Sequence, residues 1–170
     1  MTKRIVLLVT AGLALAASAF GQAHIALVGA ANPTPAHRQY SDVWAEGNYA
    51  YVGSDASSGV QIFDISNPTA PTLVATYGGS FTNDMEDVKV VNGIGYFASN
   101  LGGGVHIVDL SDPVHPKLLA RLSNANGGYD SVHNVSVDNG LLYMPDYPRT
   151  PAVKVFDVTN PAAPVLVSTF

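Results

Sequence analysis

The sequence predicts an all-β protein, a β-propeller built of four-stranded antiparallel blades with about three blades present. Three observations predict it: a unit of about 45 residues that occurs three times, Asn-Gly turns set between short apolar runs, and an absence of helical periodicity after residue 24.

The unit is explicit. Gly59-Val60-Gln61-Ile62-Phe63-Asp64-Ile65-Ser66-Asn67-Pro68-Thr69-Ala70-Pro71 returns as Gly104 to Pro116, and a third time as Ala152 to Pro164. Its aspartates fall at 64, 109 and 157, spacings of 45 and 48 residues. A second landmark keeps step: Asp42-Val43, Asp87-Val88 and Asn134-Val135 lie 45 and 47 residues apart, each trailed by a turn glycine at Gly47, Gly93 or Gly140.

Within the middle unit the strands are expected at Asp87 to Val91, Ile94 to Ser99, Val105 to Leu110 and Lys117 to Leu122. Asn92-Gly93 joins the first two, and Asn139-Gly140 repeats the signal in the third unit, since both residue types tolerate the positive φ of a type I′ turn. The runs Val-Gln-Ile-Phe and Val-Lys-Val-Phe carry apolar residues on both strand faces, which suits a sheet covered on each side. The Asp-x-Ser/Thr-Asn/Asp-Pro corner is mechanical. A short carboxylate and a hydroxyl accept backbone N–H bonds and close a turn, so Asp64, Asp109 and Asp157 read as structural. The prolines at 71, 116 and 164 open the last strand of each unit, where the lack of a donor is tolerated. Blades are expected at approximately 40–79, 84–123 and 131–170.

Ahead of the repeats, Lys3 and Arg4 precede an uncharged apolar run from Ile5 to Phe20, followed by small residues through Ala23. Residues 1–23 therefore read as a secretory signal peptide. The sixteen-residue run falls short of the ~20 residues a membrane span requires. The mature 24–170 chain carries 6 basic and 13 acidic side chains, a net charge of −7, because Lys3 and Arg4 leave with the leader. That balance, with no Lys/Arg cluster, argues against a nucleic-acid partner and against membrane insertion after signal cleavage. With no cysteine, disulfides, thiolate metal sites and cysteine nucleophiles are excluded together. A secreted, periplasmic or cell-surface location follows from the leader. Propellers close with about 4–8 blades. Three units are therefore expected to need either further blades of a longer chain or a partner chain that completes the ring, and the last blade is expected to expose an apolar face.

The repeated strand Val105-His106-Ile107-Val108-Asp109 resembles the LVIVD repeat of bacterial extracellular propellers, with Val60 to Asp64 and Val153 to Asp157 as variants. The Tyr40-Ser41-Asp42-Val43-Trp44 opening, Glu86-Asp87-Val88 and His133-Asn134-Val135 further resemble the exported choice-of-anchor B proteins that contain it. The resemblance implies an extracytoplasmic or cell-surface propeller and carries no established reaction.

First strands of blades line a propeller's axis, so the residues opening them are the candidate site: Asp42, Glu86, Asp87, His133 and Asn134, with Trp44 as a stacking platform for a sugar. Carboxylates beside an imidazole suit a hard cation, calcium being the candidate, or hydrogen bonds to a protein or carbohydrate ligand. The same groups also serve as strand caps and as ties for buried water. No nucleophile elbow, phosphate loop, dinucleotide fingerprint or zinc-protease motif occurs, and no catalytic residue is assigned. The expected role is a binding or scaffold module with its site at the channel mouth; the competing class is a carbohydrate- or ester-directed hydrolase using the channel carboxylates. His106, like Gln61 and Lys154 at the same place in the other units, is expected to face solvent.

Overall fold

The computed structural model describes residues 26–31, 39–55, 59–78, 84–145 and 152–170, and the leader expected at 1–23 lies outside them. Among the described residues, three four-stranded antiparallel sheets follow one another, and the helical content is a single 3-10 turn at Asn124–Asn126. Blade 1 holds β1 (Tyr40–Glu46), β2 (Tyr49–Ser54), β3 (Val60–Asp64) and β4 (Thr72–Tyr77). Blade 2 holds β5 (Asp87–Val91), β6 (Ile94–Ser99), β7 (Gly104–Asp109) and β8 (Lys117–Leu122). Blade 3 holds β9 (Ser136–Asp138), β10 (Leu141–Pro145), β11 (Val153–Asp157) and β12 (Val165–Thr169). Strand order within each sheet follows chain order, the meander of a propeller blade.

Local chemistry forms these elements as the repeat implies. Asn92 and Gly93 take φ of 53° and 74°, and Asn139 and Gly140 take 48° and 75°, the doubly left-handed turn whose twist matches its flanking strands. At the corners, Asp64, Asp109 and Asp157 accept the backbone N–H of Ser66, Ser111 and Thr159 at 2.8, 2.9 and 2.9 Å. Asn67, Asp112 and Asn160 each close the next turn by accepting an N–H two residues on. The three aspartates are thus turn builders, and hydrogen bonds from their own corners hold all three carboxyls below the ordinary value. Each blade also carries a register shift between its third and fourth strands, at Ile62/Phe63, Ile107/Val108 and Val155/Phe156. This bulge bends the outer strand and recurs without any signature residue. Gly104, at φ 69°, opens β7 against the Leu122 carbonyl, which a Cβ would strike; Gly59 repeats the arrangement against Tyr77.

The core lies between the blades. One cluster joins Tyr51, Val60, Ile62 and Tyr77 of blade 1 to Val88, Val90, Phe97, Val108 and Leu110 of blade 2. The second joins Tyr96, Val105, Ile107 and Leu122 of blade 2 to Val135, Leu142, Met144, Phe156 and Val158 of blade 3. Blade 2 therefore offers one face to blade 3 and the opposite face to blade 1, which explains apolar residues on both sides of β7. The outer strand β12 is exposed along its length, with Val165, Val167 and Phe170 largely in solvent.

Like Gln61, which is 5% exposed, His106 departs from the expectation of a solvent-facing variable position. It is 6% exposed, and its Nδ1 shares a 2.8 Å hydrogen bond with the Tyr77 hydroxyl across the junction between blades 1 and 2. Its strand position reads as solvent-facing only for an isolated sheet; the neighbouring blade covers it. Burial first, then the nearby Arg121 guanidinium, pushes its pKa down to about 4 from 6.5. A histidine buried neutral makes the unfolded chain the better proton acceptor, so stability should fall as pH drops from 6.5 towards 4, by at most about 3 kcal/mol. His106→Gln, which copies Gln61 of blade 1, should flatten that part of the pH–stability curve in urea titrations; an unchanged slope would remove His106 as its cause.

Candidate functional site

Strand β1 packs beside β5 and β5 beside β9, so the openings of the first strands gather as the repeat predicts. What gathers there is an interblade clasp. Asp42 Oδ2 accepts the Val88 N–H at 3.1 Å and the Lys89 ammonium at 2.9 Å. Lys89 Nζ also donates to Asp87 Oδ1 at 2.5 Å, and the other Asp87 oxygen accepts the Val135 N–H at 2.7 Å. Asp42 of blade 1 thus ties down blade 2, and Asp87 of blade 2 ties down blade 3 in the same way. Trp44 lies under the Lys89 ammonium, 5.4 Å from ring centroid to Nζ, so it serves as a lid on the ion pair.

The electrostatics follow from burial and pairing. Burial pushes the Asp87 carboxyl above its ordinary value, against the pull of Lys89 and the Val135 N–H. Asp42 is less buried; burial opposes its charge, yet Lys89 and the Val88 N–H hold it below its ordinary value. Burial disfavours the Lys89 ammonium too, but the two carboxylates keep it firmly protonated. Of the two carboxylates, Asp87 takes up a proton first. At the far end of β1, the Glu46 carboxylate accepts the N–H groups of Asn92 and Gly93 at 2.8 and 2.9 Å, so blade 1 grips blade 2 at both ends of the inner strand.

Glu86 and His133 belong to a second group beside the clasp. Glu86 Oε1 accepts the Asn100 side-chain amide at 2.7 Å. Burial first, then the nearby Asp55 and Asp84 carboxylates, pushes its pKa up, while His133 opposes the shift. Asp84 is 2% exposed; its Oδ1 accepts the Ser99 hydroxyl at 2.8 Å and the N–H groups of Asn100 and Leu101 at 3.2 Å each, fastening the β6–β7 loop. His133 and Asn134 are exposed and precede β9, which begins at Ser136, two residues after Asn134, the counterpart of the Asp87 that opens β5. Among the described residues, no group of three or more His, Asp or Glu converges to hold a metal ion.

Of the residues the sequence singles out, Asp42, Asp87 and Trp44 meet around Lys89, and Glu86 lies near enough to His133 to feel its charge; Lys89 and Asp84 were not singled out. Lys89 was discernible in principle. It occupies the position of Trp44 in the next repeat, with the same facing as Asp87, and a lone lysine in an inner strand flanked by aspartates implies an ion pair. Asp84 precedes its strand and corresponds to Gln39 and Ser131, so nothing in the repeat marks it.

Sequential four-stranded blades with buried mutual faces and clasped inner strands define a β-propeller module. The family model of the LVIVD repeat matches residues 37–78 and 84–123, blades 1 and 2, which supports a protein built of LVIVD repeats. Blade 3 lies outside that match and departs from the first two by its three-residue inner strand and by Asn134 and Ala152 in place of aspartate and glycine. A search of the curated proteins finds no match to this chain.

Proposed function

We propose that the protein is an exported β-propeller acting as a binding or scaffold module at the cell surface or in the periplasm, with its ligand site at the mouth marked by Trp44, Glu86, His133 and Asn134. The leader-like residues 1–23 and the resemblance to choice-of-anchor B proteins support export. One observation carries the binding role. The carboxylates that recur on the inner strands, Asp42 and Asp87, are taken up by Lys89 and by backbone N–H groups of the next blade. They hold blades together and do not confront a substrate as a free acid and base.

Glu86 remains as the mouth carboxyl with a raised pKa and a neutral amide partner, suited to a hydrogen bond with a sugar hydroxyl or a peptide group. Hydrolysis, the competing reading, would have to run on Glu86 with His133. Both are tested together. Soluble oligosaccharides of hexoses and N-acetylhexosamines, titrated calorimetrically, should bind, and Glu86→Gln should weaken that binding about tenfold, the loss of a charge-assisted hydrogen bond. Nitrophenyl esters and glycosides should turn over no faster than in buffer. Turnover abolished by Glu86→Gln would replace the binding reading with the hydrolase, and sugar affinity indifferent to Glu86 and His133 would remove the mouth as the site.

A further inference from the structure

Asparagine followed by glycine is chemically unstable in water. The peptide nitrogen of the glycine, freed of its proton, attacks the carbonyl carbon of the asparagine side chain. The new C–N bond closes a five-membered succinimide, and the carboxamide nitrogen leaves as ammonia, taking up the equivalent of that proton. Water then opens the ring at one carbonyl or the other, giving aspartate or isoaspartate with no oxidant or reductant. Glycine permits the approach because no Cβ shields its nitrogen. The step needs two freedoms: the glycine N–H has to be released, and the carboxamide has to swing over the backbone.

The chain holds three such steps, Asn92-Gly93, Asn126-Gly127 and Asn139-Gly140, and the fold treats them differently. Two are restrained. The Glu46 carboxylate of blade 1 accepts the N–H of Asn92 at 2.8 Å and that of Gly93, the attacking nitrogen, at 2.9 Å. Asn126 has its whole carboxamide committed: Nδ2 donates to the Arg121 carbonyl at 2.6 Å, and Oδ1 accepts the Ser123 N–H at 2.8 Å. Asn139 is exposed, and its amide donates at 3.0 Å to its exposed chain neighbour Asp138. The reason lies in the repeat. Glu46 pairs with Tyr49 across the first turn of blade 1, and the residue in that place in blade 2 is Val91, opposite Ile94. Blade 2 therefore offers Val91 where blade 1 offers Glu46, and a valine side chain accepts no N–H from the turn of blade 3. The hairpin is also short: β9 pairs with β10 at three positions, whereas β5 pairs with β6 at five.

We propose that Asn139-Gly140 is a site of spontaneous deamidation, with water as the co-reactant, and that the fold protects Asn92-Gly93 and Asn126-Gly127. In the closed turn Asn139 and Gly140 hold φ of 48° and 75°, so the reaction proceeds from a locally opened hairpin. Opening costs least where few pairs and no carboxylate from a neighbouring blade hold the turn. The product matters to the blade. Isoaspartate adds a methylene to the main chain of a two-residue turn whose length sets the strand register, which strains the adjoining Asp138–Leu141 pair of an inner strand that has three. Modification thus loosens the first strand of blade 3 as the protein ages.

The folded chain, kept warm in mildly alkaline buffer, should be sampled over days, digested with pepsin in acid and read by fragmentation mass spectrometry that separates aspartate from isoaspartate. Asn139 should convert first. Asn92 should lag by at least about tenfold, because a hydrogen bond to a charged group is worth more than that factor. In urea the three steps should convert at similar rates, so that the fold and not the dipeptide ranks them. Glu46→Ala should bring Asn92 up towards the rate of Asn139. Val91→Glu, which supplies the missing carboxylate at a half-buried position, should slow Asn139 several-fold, an effect that general loosening of the molecule cannot imitate. An Asn139 that survives in the folded chain while the unfolded chain converts, or an Asn92 that keeps pace with it, overturns the proposal. A Val91→Glu chain with the far-UV circular dichroism of wild type and an unchanged rate at Asn139 overturns the missing carboxylate as the cause.

Discussion

Phe97→Ala is expected to destabilise the protein by about 3–5 kcal/mol, the range for emptying a buried phenylalanine site. Phe97 is 0% exposed and stands in the middle of the junction between blades 1 and 2, clustered with Tyr51, Ile62 and Tyr77; the Tyr77 ring lies 5.6 Å away, tilted by 53°. Its ring is held by side chains from two different sheets, so the cavity cannot be closed by repacking within one blade. For a chain of this length the loss corresponds to a fall in Tm of roughly 10 °C or more. Leu73→Ala supplies the control. Leu73 lies on the outer strand β4, 40% exposed, and its loss should stay within about 0.5 kcal/mol. Similar losses at the two sites in urea unfolding would mean that the faces between blades do not hold the molecule together.

The same contrast explains what could be read from the sequence. A blade repeats its internal chemistry, so every feature set within one blade is visible by self-comparison. The Asn92-Gly93 and Asn139-Gly140 turns, the corner carboxylates of Asp64, Asp109 and Asp157, and the strand limits of blade 2 all emerge within a residue or so of their positions in the structure. Features that depend on the next blade are hidden. His106 reads as a solvent-facing variant of Gln61 until Tyr77 of the preceding blade covers it. The partner that Lys89 gains in Asp42 belongs to the preceding blade and is likewise invisible within one unit. The short β9 was hidden for another reason: the Asn134-Val135 landmark keeps its spacing although pairing with β10 begins only at Ser136.

Position in the repeat brings the inner-strand carboxylates to the joints between blades, where two of them serve as ties to the next blade. Asp42 and Asp87 looked like an axial ring of carboxylates because they recur, and recurrence in a solenoid or ring marks whatever joins one unit to the next as readily as it marks a ligand site. The backbone resolves the choice, since a carboxylate oxygen aimed at the N–H of the following blade serves the joint. Groups that do not recur, Glu86, Asn100 and His133, are then the better markers of something particular to this protein.

Asp87→Ala should lower stability by about 3 kcal/mol, at the lower end of the range for removing one partner of a buried ion pair, because Lys89 keeps some access to solvent. Two groups lose their partner at once: the Val135 N–H is left without its acceptor, and the Lys89 ammonium retains only Asp42. Asp87→Asn should cost clearly less, since the amide oxygen can still accept the Val135 N–H while the charge is lost. Lys89→Met alone should also be costly, because it leaves two carboxylates facing each other across the junction. In the double variant Asp87→Ala/Lys89→Met much of the loss should be recovered, and the cycle should give a coupling of about 1–3 kcal/mol. Additive losses would dissolve the clasp. An Asp87→Ala protein as stable as wild type would show that this carboxylate does not hold blade 3, since a group that holds a blade in place cannot be removed without loosening it.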